Sequence, residues 1–302
     1  MISIAPDDLD NVTRWYFAVG GLQTQTDVLE LSKAIRLERL KVFPTQAELA
    51  FSLDSPLVAG IMQHYGETVI QHELIIEAEH VDDPQLIPMT AGAILAALRI
   101  RTGAEIICPA VCDTSWAMLR GLMGNACKAY RVEPAMYSHE FTAPISVTLD
   151  DLDWMRSNLG KLVELNSDHR FETALDALCS YLHAANYRMM AAQLWAGVEA
   201  IFDVTYEISF RLPLLAALLL EKRGAKCREL KKHVKKLYTE RSKAVHGGEI
   251  SEIILKEHVA SVRSLLARLL GKIIQNGNLP TSEDFDDLTV MADSPAIVPD
   301  QS

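Results

Sequence analysis

This chain of 302 residues has few cysteines, and it has neither a long apolar run nor a phosphate-binding glycine loop. Five cysteines at irregular spacings are too few for a disulfide framework, so we expect reduced, mostly buried thiols. The longest apolar run, residues 212–220 around Pro213, is less than half of the roughly 20 residues that cross a bilayer, which argues against a membrane span. The first ten residues are acidic where a signal peptide would be basic, so we expect a cytoplasmic protein.

Recognisable cofactor and metal motifs are also missing. The sequence contains no glycine-rich phosphate loop, no nucleophile elbow and no dinucleotide fingerprint. A zinc site built from Cys108, Cys112, Cys127 and His139 is conceivable, but it lacks the short paired spacings of real zinc sites. We favour three buried thiols and an ordinary histidine, and we expect neither a metal nor a cofactor.

The net charge of −11 argues against a general nucleic-acid binder, but the charge is unevenly distributed. Residues 221–243 hold ten Lys or Arg against three Glu, so this segment carries +7. The net −11 less this +7 leaves −18 for the remainder of the chain. A basic stripe on an acidic body attracts a polyanion to one place, although a lysine-rich helix can equally be a solvated face.

Residues 1–147 indicate an α+β domain. Two short strands are predicted within 28–40 and a third at 68–79, and helices are predicted at 45–53 and 91–101. Gly103 is expected to end the second of these helices, and residues 105–108 are predicted to form a short buried strand.

Residues 148–277 predict an all-α bundle, which makes the whole chain mainly α. Thr148, followed by three aspartates, is an N-terminal helix signal. Pro213 is expected in the first turn of its helix, where no amide donor is needed. Gly247 and Gly248 are natural C-caps. The six predicted helices cover 148–164, 171–185, 187–204, a segment from 209, 226–246 and 253–275.

Residues 278–302 are predicted to be a disordered acidic tail, because no Lys or Arg follows Ile274 while six Asp or Glu do. A second interpretation is that the tail mimics an acidic ligand against the basic helix.

The segment RSKAVHGG, residues 241–248, combines side chains that can act on a phosphodiester without metal. Arg241 offers a permanent planar cation, and His246 can exchange protons near neutral pH. At about 100° per residue Arg241 falls on the apolar stripe of Val234 and Leu237, so it needs a partner, a cleft or an interface. His246 lies about 140° further round an ideal helix. The two side chains therefore converge only if the helix unwinds at Gly247 or if a second copy completes the site in a twofold dimer.

Glu199 is a second charge on an apolar stripe, between Trp195 and Phe202 at helical spacing. It needs a cationic partner, for which Arg211 and Arg241 are the candidates. A structural ion pair is the favoured role for this carboxylate.

The segment at 237–248, LYTERSKAVHGG, resembles the signature of the Apea-like branch of the HEPN superfamily of bacterial proteins. Residues 194–202, LWAGVEAIF, are similar to its Leu-Trp-x-x-x-Glu-x-x-Phe helix. Residues 207–220, EISFRLPLLAALLL, are similar to its Ser-aromatic-Arg-Leu helix and depart from it at Pro213. The resemblance covers roughly residues 150 to 275, and residues 1–147 only faintly resemble the domain that often precedes this module.

The resemblance implies a bundle that dimerises and, in active members, cleaves single-stranded RNA without metal. It implies catalytic roles for Arg241, His246 and Ser242, with Glu199, Tyr238 and Arg211 in support. Five lysines are the candidates for RNA contact: Lys231, Lys232, Lys235, Lys236 and Lys243.

The biological role that this resemblance implies is antiviral defence or growth arrest, with the first domain as a sensor or regulator. Another HEPN branch carries a tyrosine two positions after the histidine, which a partner nucleotidyltransferase modifies. Gly248 stands there in this chain, so no such partner is expected. The alternative function is a non-catalytic module that binds RNA, a nucleotide or a protein.

Overall fold

The computed structural model describes residues 12–80, 83–119, 124, 126–133, 143–202, 204, 206–245 and 249–290. The chain divides into two compact units, one ending at Ser157 and the other beginning at Asn158. The predicted boundary at 147–148 therefore lies ten residues earlier than the division between the units, which falls inside a helix.

The first unit is built on a six-stranded sheet in the order β3-β4-β5-β1-β6-β7, with every neighbouring pair antiparallel. β2 and β8 form a separate parallel pair. The sheet confirms the α+β prediction for this half of the chain. The strands are β1 (Arg14–Gly20), β2 (Leu22–Thr24), β3 (Val28–Glu30), β4 (Ile35–Arg39), β5 (Ile70–Glu77), β6 (Ala110–Cys112), β7 (Ala129–Arg131) and β8 (Ile145–Val147).

Helices of the first unit follow the local signals. The predicted helix at 45–53 is confirmed, with a capping box between Thr45 and Glu48. The predicted helix at 91–101 begins earlier than expected, and Gly103 ends it in the left-handed conformation as predicted. The helices are α1 (Gln46–Ser52), α2 (Pro56–Val69) and α3 (Ile87–Thr102), with 3-10 turns at Ala78–His80, Pro84–Leu86 and Trp116–Met118.

The strand predicted at 105–108 is wrong, since the strand lies at Ala110–Cys112. Within 105–108, Ile107 forms an isolated bridge with Gly20 at the end of β1, with backbone bonds of 3.0 and 3.1 Å, while side chains bind the backbone of the residues on either side. Arg99 Nε donates to the Ile106 carbonyl at 2.9 Å, and the Cys108 amide donates to Glu133 Oε2 at 2.8 Å. Arg99 and Glu133 also form a buried ion pair, so charged groups fix this segment on either side of the single bridge at Ile107.

The remaining elements are helical, as predicted, and six of them follow the predicted order. They are α4 (Leu149–Leu165), α5 (His169–Ser180), α6 (Tyr187–Phe202), α7 (Ile208–Leu220), α8 (Ala225–Val245), α9 (Glu252–Asn276) and α10 (Ser282–Val290), with a 3-10 turn at Tyr181–His183. None of the described helices has the length and apolar character required to span a membrane.

Helix α4 begins as predicted at Thr148. The Thr148 amide and hydroxyl donate to Asp151 Oδ2 at 2.9 and 2.7 Å, and the Asp151 amide donates back to Thr148 Oγ1 at 3.3 Å. Arg101 also donates to Asp151 at 2.7 Å, and Arg156 donates to the Leu31 carbonyl at 3.1 Å. These bonds attach the first half of α4 to the first unit, which explains why the division lies at Ser157.

Helix α6 forms the centre of the second unit, where it packs against α5, α8 and α9. Its buried side chains include Leu194, Trp195 and Val198. A Cβ added at Gly197 would lie 2.6 Å from the Ala177 Cβ of α5 and 3.0 Å from Leu266 Cδ2 of α9. The glycine therefore permits a close approach of three helices.

Two expectations for this unit are wrong. Pro213 lies inside α7, beyond the first turn, among buried residues such as Leu212 and Ala216. Burial of that apolar face offsets the missing amide donor. The predicted disordered tail is in part the helix α10, in which Phe285 is only 4% exposed and its ring lies 5.5 Å from that of Phe202. Residues 291–302 lie outside the described part of the chain.

Candidate functional site

The basic helix α8 presents most of its cations to solvent. Its apolar positions Cys227, Val234 and Leu237 are buried, which leaves the lysines on the outer side of the helix. Lys231 is half-buried, and Lys236 is 3.8 Å from Glu240 one turn along the helix. The exposed cations in and just before α8 are Lys222, Arg223, Lys226, Arg228, Lys232, Lys235, Lys236 and Lys243.

Arg241 and Glu199 are partners, which confirms the prediction that each of these charges needs one. Arg241 Nη2 lies 3.1 Å from Glu199 Oε1 and 3.2 Å from Oε2. The two side chains are 27% and 30% exposed, so the pair is neither buried nor freely solvated. A carboxylate in this position orients the guanidinium while leaving part of it accessible.

Tyr238 completes this group, one helical turn before Arg241. Its hydroxyl donates to Glu199 Oε1 at 3.2 Å and accepts from Arg241 Nη1 at 3.4 Å. Burial raises the pKa of the Tyr238 hydroxyl, and the Glu199 charge raises it further, so it remains a neutral donor. The Arg241 guanidinium also lies 5.4 Å from the Tyr238 ring centroid. We call Arg241, Glu199 and Tyr238 the arginine cluster.

Aromatic packing fixes the buried side of the arginine cluster. The buried Trp195 ring meets the Tyr238 ring edge-on, with centroids 5.2 Å apart at an interplanar angle of 85°. Trp195 Nε1 donates to His258 Nε2 of α9 at 3.0 Å. His258 Nδ1 therefore carries the proton in the neutral ring, and Glu240 Oε2 lies 3.8 Å from it. Burial lowers the pKa of His258, while Glu240 opposes that shift.

Arg188, at the beginning of α6, holds the C-terminal end of α8. Its Nη1 donates to the carbonyls of Lys243 and Ala244, both at 2.9 Å. Terminal carbonyls of a helix have no partner in the helix itself, and a cation suits the negative end of its dipole. Arg188 thus fixes the turn of α8 that directly follows Arg241.

Ser242 is exposed on α8, next to the arginine cluster. His246, Gly247 and Gly248 lie outside the described residues, so the predicted convergence of Arg241 with His246 and the two glycine caps stay predictions. An open cleft of about 760 Å³ lies between the end of α8 and the beginning of α9. Its lining includes residues that precede 246–248 in the sequence and residues that follow them. It is lined by Arg188, Glu240, Lys243, Glu249, Ile250, Ser251 and Ile254.

Two predicted site residues lie away from the arginine cluster. Arg211 does not supply the partner of Glu199, since its guanidinium stacks over the Tyr206 ring at 4.7 Å. Lys231 lies over the Phe210 ring at 4.9 Å. The other predicted RNA-contacting lysines, Lys232, Lys235, Lys236 and Lys243, are exposed on α8.

Within the described residues, no group of three or more His, Cys, Asp and Glu side chains is placed to hold a metal ion. The three thiols of the alternative zinc site, Cys108, Cys112 and Cys127, are buried. His139 lies outside the described part of the chain.

Three residues of the site were not singled out from the sequence. His258 carried a usable signal, because it falls between Leu255 and Val262 on the apolar stripe of its helix. Arg188 and Glu240 carried none, since their roles depend on contacts between different helices.

Comparison of the chain with protein-family models, with curated proteins and with solved structures finds no significant match. The function therefore has to be argued from the arginine cluster and its surroundings.

Proposed function

We propose that this chain is a metal-independent endoribonuclease of the HEPN type, acting on single-stranded RNA. The observation that carries the proposal is the arginine cluster: a guanidinium that is 27% exposed and is held by Glu199 and Tyr238 at the end of an exposed basic helix. A charge fixed in advance stabilises a transition state more effectively than one that must first be ordered.

Arg241 retains donors for a ligand. Its contacts within the arginine cluster use Nη1 and Nη2, and each of these nitrogens carries two N–H groups. Its Nε is buried, so the donors left for a ligand are the remaining N–H groups of Nη1 and Nη2. A phosphate oxygen approaching from the exposed side would receive donors matched to its geometry.

The proposed reaction requires no group beyond those of the chain and the RNA. His246 takes the proton of a ribose 2′-hydroxyl, and the 2′-oxygen forms a bond to phosphorus. The bond between phosphorus and the 5′-oxygen breaks, and that oxygen receives a proton from a second, protonated imidazole. Arg241 stabilises the charge that builds on the phosphate, and Ser242 adds a hydrogen bond to it. The products are a 2′,3′-cyclic phosphate and a 5′-hydroxyl.

A homodimer is part of the proposal, because Arg241 and His246 do not share a face of one straight helix. Two copies of the chain supply two copies of His246, one for each proton transfer. Two large exposed apolar residues near the cleft support a dimer contact there: Met189 is next to Arg188 in sequence, and Ile254 lines the cleft. We further propose that the protein is cytoplasmic, that it serves antiviral defence or growth arrest, and that it acts without a nucleotidyltransferase partner.

The test is cleavage of 5′-labelled single-stranded RNA by purified protein in EDTA. We expect cyclic phosphate ends, loss of cleavage in His246→Ala and in Arg241→Ala, and no cleavage where the RNA carries 2′-deoxyribose. Arg228→Ala is the matched control, because Arg228 is an exposed cation at the opposite end of α8. Cleavage that survives His246→Ala contradicts the proposal. RNA binding without cleavage, weakened by Lys235→Glu but not by His246→Ala, supports the non-catalytic module instead.

A further inference from the structure

We infer that Tyr206 and Phe210, with Arg211 and Lys231, form a platform on which bases of single-stranded RNA stack before the strand reaches Arg241. This stacking platform rests on the proposed function, and it identifies where that site holds its substrate. It adds two aromatic residues to a binding surface that was predicted from lysines alone.

Both rings of the stacking platform are open to solvent. Tyr206 is 65% exposed and Phe210 is 53% exposed, which is unusual for aromatic residues beside a well-packed helix. Arg211 lies over the Tyr206 ring at 4.7 Å and Lys231 over the Phe210 ring at 4.9 Å. Each ring of the platform is therefore paired with a cation, and aromatic rings beside positive charges are the composition of sequence-tolerant single-strand binding surfaces.

The backbone before α7 holds Tyr206 in this position. Glu207, the residue between Tyr206 and the helix, has φ of 50° and lies in the left-handed region. Among the described residues it is the one non-glycine with positive φ. Such a conformation is unfavourable for a residue with a Cβ and is commonly found at functional sites. Here it accompanies a turn that places the Tyr206 ring beneath Arg211.

Helix α8 connects the stacking platform to the arginine cluster. Positions 231, 235, 238 and 242 are spaced i, i+4, i+7 and i+11, so they lie along one face of α8. The eleven helical steps from Lys231 to Ser242 span about 16 Å, a length that a few nucleotides can cover. Lys235, which is exposed, lies between the platform and Tyr238. A strand stacked at Phe210 would thus have its backbone led past Lys235 to Arg241.

The chemistry of this surface selects an unpaired strand. Aromatic rings stack on base faces, and those faces are covered in a duplex. The net charge of 221–243 is +7, so a second copy of the same basic face would be repelled by it. Single-stranded RNA offers both unpaired faces and a negatively charged backbone.

The experiment separates stacking from charge by using two uncleavable probes. One is a short 2′-O-methyl oligouridine, and the other is a 2′-O-methyl oligomer of equal length without bases. Fluorescence anisotropy of the wild type and of Tyr206→Ala/Phe210→Ala gives the dissociation constants. We expect the double variant to bind the oligouridine about 10-fold or more weakly, and the baseless oligomer as the wild type does.

Three further measurements keep the inference falsifiable. Tyr206→Phe/Phe210→Tyr should keep wild-type affinity, because both rings remain. Val163→Ala, a change at an exposed apolar residue of α4, is the control and should have no effect. Thermal unfolding and sedimentation show whether the alanine variant remains folded and keeps its oligomeric state.

Equal loss of affinity for both probes, unchanged affinity for both, or a changed oligomeric state would overturn the stacking platform. If the probes bind as expected but the wild type never cleaves unmodified RNA, the proposed nuclease is contradicted and the stacking platform stands. If the wild type cleaves RNA but the double variant binds both probes as the wild type does, the stacking platform is overturned and the proposed nuclease stands.

Discussion

Arg241 illustrates how one misplaced charge can indicate a site. A guanidinium on an apolar stripe is costly unless it is paired, and a pair that is still about a quarter to a third exposed is poorly explained by stability alone. The geometry instead keeps one face of the cation available while Glu199 and Tyr238 fix its orientation. That combination suits a residue that must meet a phosphate.

Glu199→Gln tests whether this orientation matters. The amide keeps the shape of the side chain but removes the charge that holds Arg241, so we expect RNA cleavage to fall by about 10-fold or more. RNA affinity should change little, and the free energy of unfolding should fall by about 1 kcal/mol. Single-turnover cleavage, anisotropy and urea unfolding measure the three quantities. Glu229→Gln, at an exposed carboxylate of α8, is the control; equal effects of both variants would refute the role of Glu199.

His72 and Glu73 form a second pair of unusual residues, adjacent on the buried strand β5. The Thr24 hydroxyl donates to the Thr26 carbonyl and so accepts from His72 Nε2, at 3.1 Å. His72 Nδ1 is buried without a partner in the described part of the chain, and burial lowers the pKa of this ring to about 4. Burial raises the pKa of Glu73 to about 7, against bonds from Ser115 and the Trp116 amide.

The two shifts have opposite effects on stability. As the pH falls from 6.5 to about 4, the unfolded His72 binds a proton that the folded one refuses, so stability is lost. As the pH falls from about 7 to 4.5, the folded Glu73 binds a proton that the unfolded one refuses, so stability is gained. Between pH 6.5 and 4.5 the contributions largely cancel.

Glu73→Gln removes one side of this balance. We expect the variant to lose up to about 1.4 kcal/mol more per pH unit than the wild type as the pH falls from 6.5 to 4.5. His72→Gln should show the opposite slope relative to the wild type. Urea unfolding at a series of pH values measures both, with the exposed His64→Gln as control. Parallel slopes in all four proteins would refute the assignment.

At the scale of elements, the second unit depends on how closely α5, α6 and α9 approach at Gly197. Gly197→Ala places a Cβ 2.6 Å from that of Ala177, so we expect a loss of about 1–3 kcal/mol in the free energy of unfolding. Gly160→Ala in α4 meets nothing within 4 Å and should stabilise the protein by about 0.5–1 kcal/mol. Urea unfolding of both variants checks the contrast, and effects of the same sign would contradict the packing described.

The end of α8 depends on Arg188. Arg188→Gln removes the cation that binds the Lys243 and Ala244 carbonyls, so we expect the last turn of α8 to fray. Amide hydrogen exchange over 241–245 should accelerate several-fold, in keeping with the loss of about 1 kcal/mol, and RNA cleavage should fall with it. Arg228→Gln at the other end of the helix is the control. Unchanged exchange in Arg188→Gln would show that the bonds do not hold the helix end.

The elements that the sequence predicted are those with local signals. Thr148 predicted the start of α4, Gly103 predicted the end of α3, and the charge pattern predicted the extent of α8. These signals are local, because caps and amphipathic faces are properties of neighbouring residues. The need of Arg241 and Glu199 for partners was predictable for the same reason, since a charge on an apolar stripe stands out in the sequence, although Arg211 and Arg241 were both candidates for Glu199.

The elements that escaped prediction depend on distant contacts. β1 is almost continuously buried in the centre of the sheet, so it lacks the alternation that marks a strand. The shift from 105–108 to Ala110–Cys112 depends on Arg99 and Glu133, which are 34 residues apart. α10 buries the aromatic residue Phe285 although it lies in an acidic segment, which is a weak local signal.

At the scale of the whole molecule, charge is segregated: +7 within 221–243 and −18 elsewhere. The acidic remainder repels a polyanion, so we expect RNA binding to be confined to the lysines of α8 and to weaken as salt screens them. A variant that binds one phosphate fewer should also show a weaker salt dependence, because fewer counterions are released on binding.

Lys232→Ala and Lys235→Ala test this directly. For single-stranded RNA, each variant that removes one phosphate contact should reduce the slope of log affinity against log salt by about 0.7. The slope comes from anisotropy with the 2′-O-methyl oligouridine between about 50 and 200 mM salt. Lys161→Ala is the control, because Lys161 lies on α4 and donates to the Gln275 carbonyl at 3.1 Å. If the lysine variants of α8 keep the wild-type slope while Lys161→Ala lowers it, the RNA lies elsewhere than on α8.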